Sequence, residues 1–385
     1  MTKNKLQNGS DEISSSKLLS DCKRIVIKIG SALLVDATRG TVHRSWLKAL
    51  AEDIARCRKR GQEVVIVSSG AIAIGRRHLN FGSGILKLEE SQAAAATGMI
   101  RLAHAYEELL AHHDVTLAQI LLTLDDSEDR RRYLNARNTI NTLLKVGAVP
   151  LINENDTVAT DEIRFGDNDR LAARVAAMIS ADALVLLSDI DGLYTTDPGK
   201  SEHAEFVPVV RKITPEIDAM GGSANSDTGS GGMTTKLAAA RIAMSAGCSM
   251  VISKGKVERP LKALEDGARC TWFLPEATPR SARKEWIAGS LKTHGTIIID
   301  AGAVSALSSG KSLLPAGVSD VKGNFERGDA VVVCSVDDQV LAHGLSAYSA
   351  GDVAMIKGHK TSEIEALLGY RGRDEIIHRD DLVIM

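Results

Sequence analysis

The sequence predicts an α/β protein with an open, largely parallel sheet sandwiched by helices over residues 23–275, followed by a small, mostly-β domain over residues 294–385. Three observations support this. Short apolar runs alternate with helical segments up to residue 275, which is typical of a parallel sheet covered on both faces. Polar clusters follow several of those runs. Beyond residue 293 the pattern changes to short strands separated by Gly and Asp turns.

Composition limits the function classes. The chain has 385 residues, a length that suits two or three domains, and a net charge of −2, so no general attraction to nucleic acid or anionic membrane is expected. No apolar run reaches the ~18 residues of a membrane helix, and the N-terminus lacks the apolar core of a signal peptide. We therefore expect a cytoplasmic protein without a membrane partner.

The five cysteines are scattered and form no C-x-x-C pair. A disulfide framework or a structural zinc site is therefore not expected, and most of these cysteines should be buried thiols. We predict no metal ligand among the protein side chains.

The first strand, over residues 24–30, follows a polar stretch, residues 1–22, that we interpret as a mobile extension. Lys28 interrupts this strand just before Gly30 and Ser31. A buried lysine is costly unless its ammonium group finds partners. Near the C-terminal end of a strand it can reach a phosphate, although a lysine that extends its ammonium group to solvent would look the same in sequence.

The second strand starts at residue 63 and ends in Ser68-Ser69-Gly70. Hydroxyls and backbone N–H groups at such a turn can bind an anion, but from this turn alone an ordinary strand–helix turn is the better interpretation. Further segments in this part are helices over 44–60, 91–112 and 127–145 and a strand over 116–123. The triplet Arg130, Arg131 and Arg132 is most simply a solvated face or an oligomer surface.

The loop over residues 153–169 is the strongest functional signal. It is rich in carboxylates and asparagines and joins an apolar strand, residues 148–152, to a helix. Loops this long are uncommon in compact domains and are usually functional. Ligands of open α/β sheets bind at the carboxyl ends of strands. Capping of the next helix explains residues 167–169 in part but does not explain residues 153–156.

Two more polar clusters follow. A strand over residues 183–189 ends in Ser188 and Asp189, and a glycine-rich segment leads through residues 230–236 into a helix beginning near Lys236. Glycines, hydroxyls and a lysine at a helix start can cradle phosphates, although the G-x-x-x-x-G-K-[ST] loop is absent and a flexible surface loop is the alternative. Strands over 249–254 and 268–274 complete the domain.

Residues 276–293 are interpreted as a linker. The small domain that follows should contain strands over residues 296–300, 330–334, 340–343 and 352–357.

Together these motifs resemble the amino acid kinase family, and within it the branch that phosphorylates glutamate. The matching motifs are VIKIGS (26–31), VSSGAIA (67–73), YLNAR (133–137), INEND (152–156), GDND (166–169), SD (188–189), GLYTTDP (192–198) and GGMTTK (231–236). Residues 312–317, 323–328 and 342–344 resemble the PUA domain that bacterial members carry. The departures are small, since Ser31 and Ser230 stand where Thr is usual and both keep the hydroxyl.

The resemblance implies an amino acid kinase fold and ATP-dependent phosphorylation of the γ-carboxylate of L-glutamate to L-glutamyl 5-phosphate, the first step of proline biosynthesis. It also implies Mg²⁺ as cofactor and feedback inhibition by proline. We expect a homo-oligomer, a dimer or tetramer. Because the acyl phosphate product is reactive, handover to glutamyl-phosphate reductase is a further partner hypothesis.

The resemblance also implies roles for individual residues. Lys28, Lys236 and Asp169 would be catalytic, with Asp169 orienting the two lysines. Ser69, Asp156 and Asn168 would bind glutamate, with Asp156 on its ammonium group. The nucleotide would be held by Lys28, Ser188, Asp189, Ser230, Gly231, Gly232, Met233, Thr234, Thr235 and Lys236.

The chemistry fits these roles. A glutamate carboxyl group has a pKa near 4.3, so the nucleophile is ionised at neutral pH and in-line transfer needs no general base. It needs positioning and positive charge around the transferred phosphoryl group. We expect Mg²⁺ to be held mainly by the phosphates of ATP.

Two alternatives remain open from the sequence. The chain could phosphorylate N-acetylglutamate or a nucleoside monophosphate, although Asp156 and the acidic loop favour a substrate with a free amino group. It could also bind RNA through the PUA-like domain. Residues 294–385 carry 8 basic and 13 acidic residues, a net charge of −5, which makes a nucleic-acid partner a poor fit. We therefore expect this domain to serve assembly or regulation.

Overall fold

The computed structural model describes residues 15–36, 39–82, 84–158, 168–222, 232–289 and 293–385. Its strands are β1 (Arg24–Ile29), β2 (Val35–Asp36), β3 (Thr41–Val42), β4 (Glu63–Ser68), β5 (Leu117–Leu122), β6 (Val149–Glu154), β7 (Ala183–Ser188), β8 (Leu193–Tyr194), β9 (Phe206–Val207), β10 (Val209–Val210), β11 (Ser249–Lys254), β12 (Cys270–Phe273), β13 (Gly295–Ile299), β14 (Val318–Gly323), β15 (Ala330–Ser335), β16 (Val340–Leu345) and β17 (Leu382–Ile384).

Its α-helices are α1 (Ser15–Ser20), α2 (Ser31–Leu34), α3 (Arg44–Lys59), α4 (Ala71–His78), α5 (Leu88–Ala111), α6 (Asp125–Glu128), α7 (Arg130–Lys145), α8 (Asn168–Met178), α9 (Pro215–Ala219), α10 (Met233–Ser245), α11 (Pro260–Glu265), α12 (Pro279–Gly289), α13 (Ala301–Ser308), α14 (Ala350–Ile356) and α15 (Ile364–Leu368). Short 3-10 turns lie at Pro315–Gly317, Thr361–Glu363 and Arg379–Asp381.

The larger sheet has eight strands in the order β10-β12-β11-β7-β1-β4-β6-β5. All neighbouring pairs are parallel except β11 with β12. Because side chains alternate along a strand, β1 contributes to two cores. Ile25, Ile27 and Ile29 pack on the face that carries α3 and α5, whereas Val26 packs on the face that carries α8 and α10. The predicted parallel sheet between helical layers is confirmed.

Helices α4 and α5 approach each other unusually closely. A Cβ atom on Gly75 would lie 1.8 Å from the Ala94 carbonyl oxygen, and one on Gly98 would lie 1.8 Å from the Ala71 carbonyl oxygen. Only glycine fits at these positions, so the two glycines set the distance between the helices. Since α4 begins directly after Gly70, this contact also fixes the turn that carries Ser69.

The C-terminal domain has a five-stranded sheet in the order β14-β13-β15-β16-β17 and its own apolar core. Here the strand predicted over residues 352–357 is wrong, because residues 352–356 belong to helix α14 and Lys357 is its C-cap. Ser349 and Asp352 form a capping box, and Val353 and Ile356 are buried at helical spacing. A short apolar run is compatible with either a strand or a helix, and the Ser-x-x-Asp capping signal indicates the helix.

The C-terminal domain packs against the kinase-like domain through α7 and α12. The carboxylate of Asp381 accepts hydrogen bonds from Arg137 on α7 and from Arg283 on α12, at 2.8 Å and 2.6 Å. All three side chains are at most 9% exposed. Leu134 packs beside them against Ala330 and Leu345. The YLNAR motif therefore builds a domain contact.

Two expectations about the ends of the domain change in the structure. Ser15–Ser20, within the stretch expected to be a mobile extension, form α1, and Leu19 is fully buried in the core. Its backbone oxygen accepts a hydrogen bond from Gln62. The segment expected to be a linker contains α12, whose Ile287 is buried. In each segment a buried apolar side chain anchors the helix to the core. The sequence did not indicate this, because both segments are mostly polar in composition.

The helix predicted over residues 127–145 divides at Asp129, whose carboxylate caps α7 by accepting from the Arg132 amide. Arg131 and Arg132 are exposed and Arg130 is half-buried. All five cysteines are free thiols and four are buried, as expected. Within the described ranges, every helix is too short or too polar to cross a bilayer.

Candidate active site

A cavity of about 640 Å³ opens at the carboxyl ends of β1, β4, β6 and β7. Of the residues expected to act in a site, the lining includes Lys28, Ser69, Asp156, Asn168, Ser188, Asp189 and Lys236. The sheet order explains this convergence, because β1 lies between β4 and β7 and the ends of parallel strands meet at one edge. The structure thus brings together groups that are up to about two hundred residues apart in sequence.

Asp169 joins the two lysines at the base of this cavity. Its Oδ1 lies 2.6 Å from Lys28 Nζ, and its Oδ2 lies 3.1 Å from Lys236 Nζ. Asp169 is 1% exposed. Burial alone would raise the pKa of this carboxyl group, but the two ammonium groups hold the pKa below its usual value. Two fixed positive charges therefore face the cavity over one shared counter-ion.

The first turns of α8 and α10 position these groups. Asp169 is in the first turn of α8 and Lys236 in that of α10, and the two helices pack side by side under the sheet. Thr235 adds a hydrogen bond of 3.2 Å to Asp169 Oδ2. Lys28 reaches the same carboxylate from β1, so its ammonium group has the partner that a buried lysine requires.

Asn168 and Ser69 form a second part of the site. The Asn168 Nδ2 atom donates to Ser69 Oγ at 2.7 Å, to the Ser68 carbonyl oxygen at 3.0 Å and to Asn153 Oδ1 at 3.1 Å. The carbonyl oxygen of Ser68 can only accept, so the orientation of the Asn168 amide is settled. Ser68 is supported from behind by a hydrogen bond between its Oγ and the buried Tyr106 hydroxyl, at 3.1 Å.

Asp156 is half-buried near the end of the described part of the long loop. Burial raises the pKa of its carboxyl group to about 6. A carboxylate that is already partly desolvated gains more interaction free energy from an ammonium partner than a fully solvated carboxylate does.

On the opposite side of Lys28, Ser188 is the last residue of β7 and its hydroxyl donates to Asp189 Oδ1 at 3.0 Å. Gly232, Met233 and Thr234 precede Lys236 but lie outside the cavity lining formed by the described residues. Ser230 and Gly231, also predicted to bind nucleotide, fall outside the described residues.

Several lining residues were missed from the sequence. Glu154 lies within the INEND motif but was given no role, and Arg76 on α4 also lines the cavity. Asn153 was recognised only as part of the loop, yet it is 4% exposed and accepts from Asn168. Nothing in the local pattern separates Arg76 from an ordinary surface arginine.

Two known families match most of this chain. Residues 23–254 match the model of the amino acid kinase family, and residues 295–368 match that of the PUA domain. The glutamate 5-kinase of Paramagnetospirillum magneticum is 65% identical over 95% of this chain and 99% of its own. The glutamate 5-kinase of Rhodospirillum rubrum is 61% identical over 93% and 96%.

A solved UMP kinase from Bacillus anthracis covers 67% of this chain and 98% of its own, with 18% identity and a TM-score of 0.47. The family matches and the long, highly identical relatives lead to one conclusion: the chain belongs to the amino acid kinase family, in its glutamate 5-kinase branch with a C-terminal PUA domain.

Proposed function

We propose that the enzyme transfers the γ-phosphoryl group of ATP to the γ-carboxylate of L-glutamate and so catalyses the first step of proline biosynthesis. The observation that carries the proposal is the Lys28–Asp169–Lys236 bridge, with the Ser69, Asn168 and Asp156 cluster on one side of it and Ser188 with Asp189 on the other. A carboxylate acceptor and a triphosphate can meet between these two groups.

In this proposal the protein supplies positioning and charge. The substrate carboxylate is already ionised at neutral pH, so no side chain has to remove a proton. Lys28 and Lys236 stabilise the charge that builds up on the transferred phosphoryl group, and Asp169 keeps both ammonium groups in place. Because Asp169 pairs with both lysines, we assign it to the lysines and expect Mg²⁺ to bind through the phosphates of ATP.

Substrate selection is assigned to the second cluster. Asp156 binds the α-ammonium group of glutamate, and Ser69 with Asn168 contacts its polar groups. N-acetylglutamate lacks this ammonium group, so the partly desolvated Asp156 would be left without a cation. This difference favours free glutamate over N-acetylglutamate.

The test measures ADP release from ATP and Mg²⁺ with L-glutamate, N-acetylglutamate or UMP as acceptor, with hydroxylamine present to trap an acyl phosphate. Turnover and hydroxamate with L-glutamate alone support the proposal. Turnover only with another acceptor, or no turnover from well-folded protein, contradicts it. Addition of proline to the same assay tests the proposed feedback inhibition.

We further propose that the C-terminal domain serves assembly or regulation, and that the protein forms a homo-oligomer that passes its reactive product to a reductase. The net charge of −5 over residues 294–385 supports this over RNA binding. Light scattering of the protein with and without residues 294–385, together with assays of each form, tests the assembly role. An unchanged oligomer and an unchanged proline response in a folded truncated protein would contradict it.

A further inference from the structure

A second cavity lies beside α7 and α12, the helices that contact the C-terminal domain. It has a volume of about 530 Å³ and is bounded by α7, by the C-terminal ends of α8 and α10, and by α12. We call it the hinge cavity and define it by Arg130, Tyr133, Ile242, Ala246, Pro279 and Arg283. This volume is in the range of small-molecule sites.

The hinge cavity is separate from the candidate active site. The active-site groups lie in the first turns of α8 and α10, whereas Ile242 and Ala246 lie at the other end of α10. At 1.5 Å per residue, the ten residues from Lys236 to Ala246 span roughly 15 Å. A ligand in the hinge cavity would therefore not contact the Lys28–Asp169–Lys236 bridge.

Arg130 is the polar group that lacks a full set of partners in this cavity. Its Nη1 lies 3.8 Å from Asp329 Oδ1, beyond hydrogen-bond distance. Its Nη2 is buried and has no hydrogen-bond partner among the described residues. Burial lowers the pKa of Arg130, against the opposing effect of Asp329. The side chain as a whole is 28% exposed, but a buried guanidinium nitrogen without an acceptor is unfavourable, and an anion that accepts from it would remove this cost.

The ion pairs around the hinge cavity leave Arg130 with the most distant counter-ion. Arg137 and Arg283 share Asp381 at 2.8 Å and 2.6 Å, and Arg174 pairs with Glu128 at 3.0 Å. Arg130 has only Asp329, at 3.8 Å. A negative charge placed at Arg130 would supply the close partner that it lacks.

The other walls indicate the rest of the ligand. Ile242, Ala246 and Pro279 provide apolar surface opposite the arginines, and Tyr133 offers a ring with a hydroxyl group. Ligand sites typically combine such apolar walls with a few polar groups that fix orientation. A monocarboxylate matches the one unpartnered nitrogen of Arg130 better than a phosphate, which carries about −2 and needs more donors.

We propose that the hinge cavity binds a small carboxylate with a compact apolar body, whose acidic group pairs with Arg130 while its body contacts Ile242 and Ala246. Such a ligand would lie between α7 and the C-terminal end of α10.

The test uses benzoate as the probe and benzamide as its uncharged analogue, with ligand-observed NMR on the full chain in the millimolar range. Benzoate should bind and benzamide should not. Saturating L-glutamate and ATP should leave benzoate binding unchanged, because the two cavities are separate. Inorganic phosphate should compete poorly.

Arg130→Ala and Arg131→Ala form the matched pair, since both remove one arginine from the first turn of α7. A charge-assisted hydrogen bond is worth enough to expect a rise of about tenfold or more in the benzoate Kd for Arg130→Ala. Exposed Arg131 lies outside the cavity lining, so Arg131→Ala should bind as the wild type does. Circular dichroism confirms that each variant is folded.

Equal Kd values for the two variants, displacement of benzoate by L-glutamate, or no binding of benzoate to the wild type would each overturn the proposal. Binding of inorganic phosphate without benzoate would overturn the carboxylate assignment. If Arg130→Ala fails to fold, Ala246→Leu, which fills the apolar end of the cavity, gives the second test. That variant should weaken benzoate binding while leaving kinase activity at the wild-type level.

Discussion

Replacing Asp381 by Asn should weaken the contact between the two domains. The substitution keeps the shape of the side chain and removes its charge. It leaves Arg137 and Arg283 facing each other without a counter-ion, each with a side chain 9% exposed.

The magnitude follows from that burial. Removing one partner of a buried ion pair costs about 3–5 kcal/mol, because the remaining charge stays desolvated. Here one carboxylate serves two guanidinium groups, so we expect a loss of stability near the upper end, about 4–5 kcal/mol. A loss of this size should separate the C-terminal domain from α7 at denaturant concentrations where the kinase-like domain is still folded.

The assay is urea unfolding followed by hydrogen exchange of β16 and β17, with Asp380→Asn as the control. Asp380 is the neighbouring carboxylate, and its side chain is 50% exposed. Its substitution should change stability by no more than about 0.5 kcal/mol.

Acidic pH provides a second check. The pKa of Asp381, which burial alone would raise, is lowered by its two arginines. A carboxyl group with a lowered folded-state pKa contributes stability above its unfolded pKa, about 3.9, and this contribution is lost as the pH falls through the folded value. The difference between wild type and Asp381→Asn should therefore narrow below about pH 4. Equal stability of Asp381→Asn and Asp380→Asn at neutral pH would refute the reasoning.

The remaining predictions concern the candidate active site. Lys236→Ala and Lys28→Ala should each lower kcat by about a hundredfold or more, because each substitution removes a positive charge that stabilises the transition state. Lys48 is exposed, and Lys48→Ala should leave kcat unchanged. A wild-type kcat in folded Lys236→Ala would remove that lysine from the mechanism. The KM for L-glutamate should rise as the pH falls below about 6, because Asp156 with a pKa of about 6 becomes neutral and loses its attraction for the ammonium group. Asp156→Asn should have a high KM without this pH dependence, and a parallel pH profile in the variant would exclude Asp156 as the cause. Gly98→Ala should destabilise the protein by about 1–3 kcal/mol and raise the KM for glutamate by shifting the Ser69 turn. Gly82→Ala should do neither, because the added Cβ atom meets open space. Equal melting temperatures of the two variants would contradict the close contact between α4 and α5.

Much of the candidate active site could be predicted from the sequence because each of its parts has a local signature. Lys28 interrupts an apolar strand, Ser69 precedes a glycine turn, and Asn168 with Asp169 opens a helix after a long acidic loop. The alternation of strands and helices then places all of these at one edge of a parallel sheet, since the carboxyl ends of parallel strands meet there. The location of the site therefore follows from the periodicity of the apolar residues and from the position of the polar clusters after each strand. Both can be read from the sequence without the fold.

The tertiary structure alone decided which side chains are partners. That one carboxylate, Asp169, joins Lys28 and Lys236 depends on the packing of α8 beside α10, and no local pattern encodes it. The same holds for Arg137 and Asp381, which are 244 residues apart, and for helix α12 in a segment that is polar enough to suggest a linker. A local pattern reports periodicity and turn chemistry, whereas burial and ion pairing depend on distances between segments that only the packed chain defines.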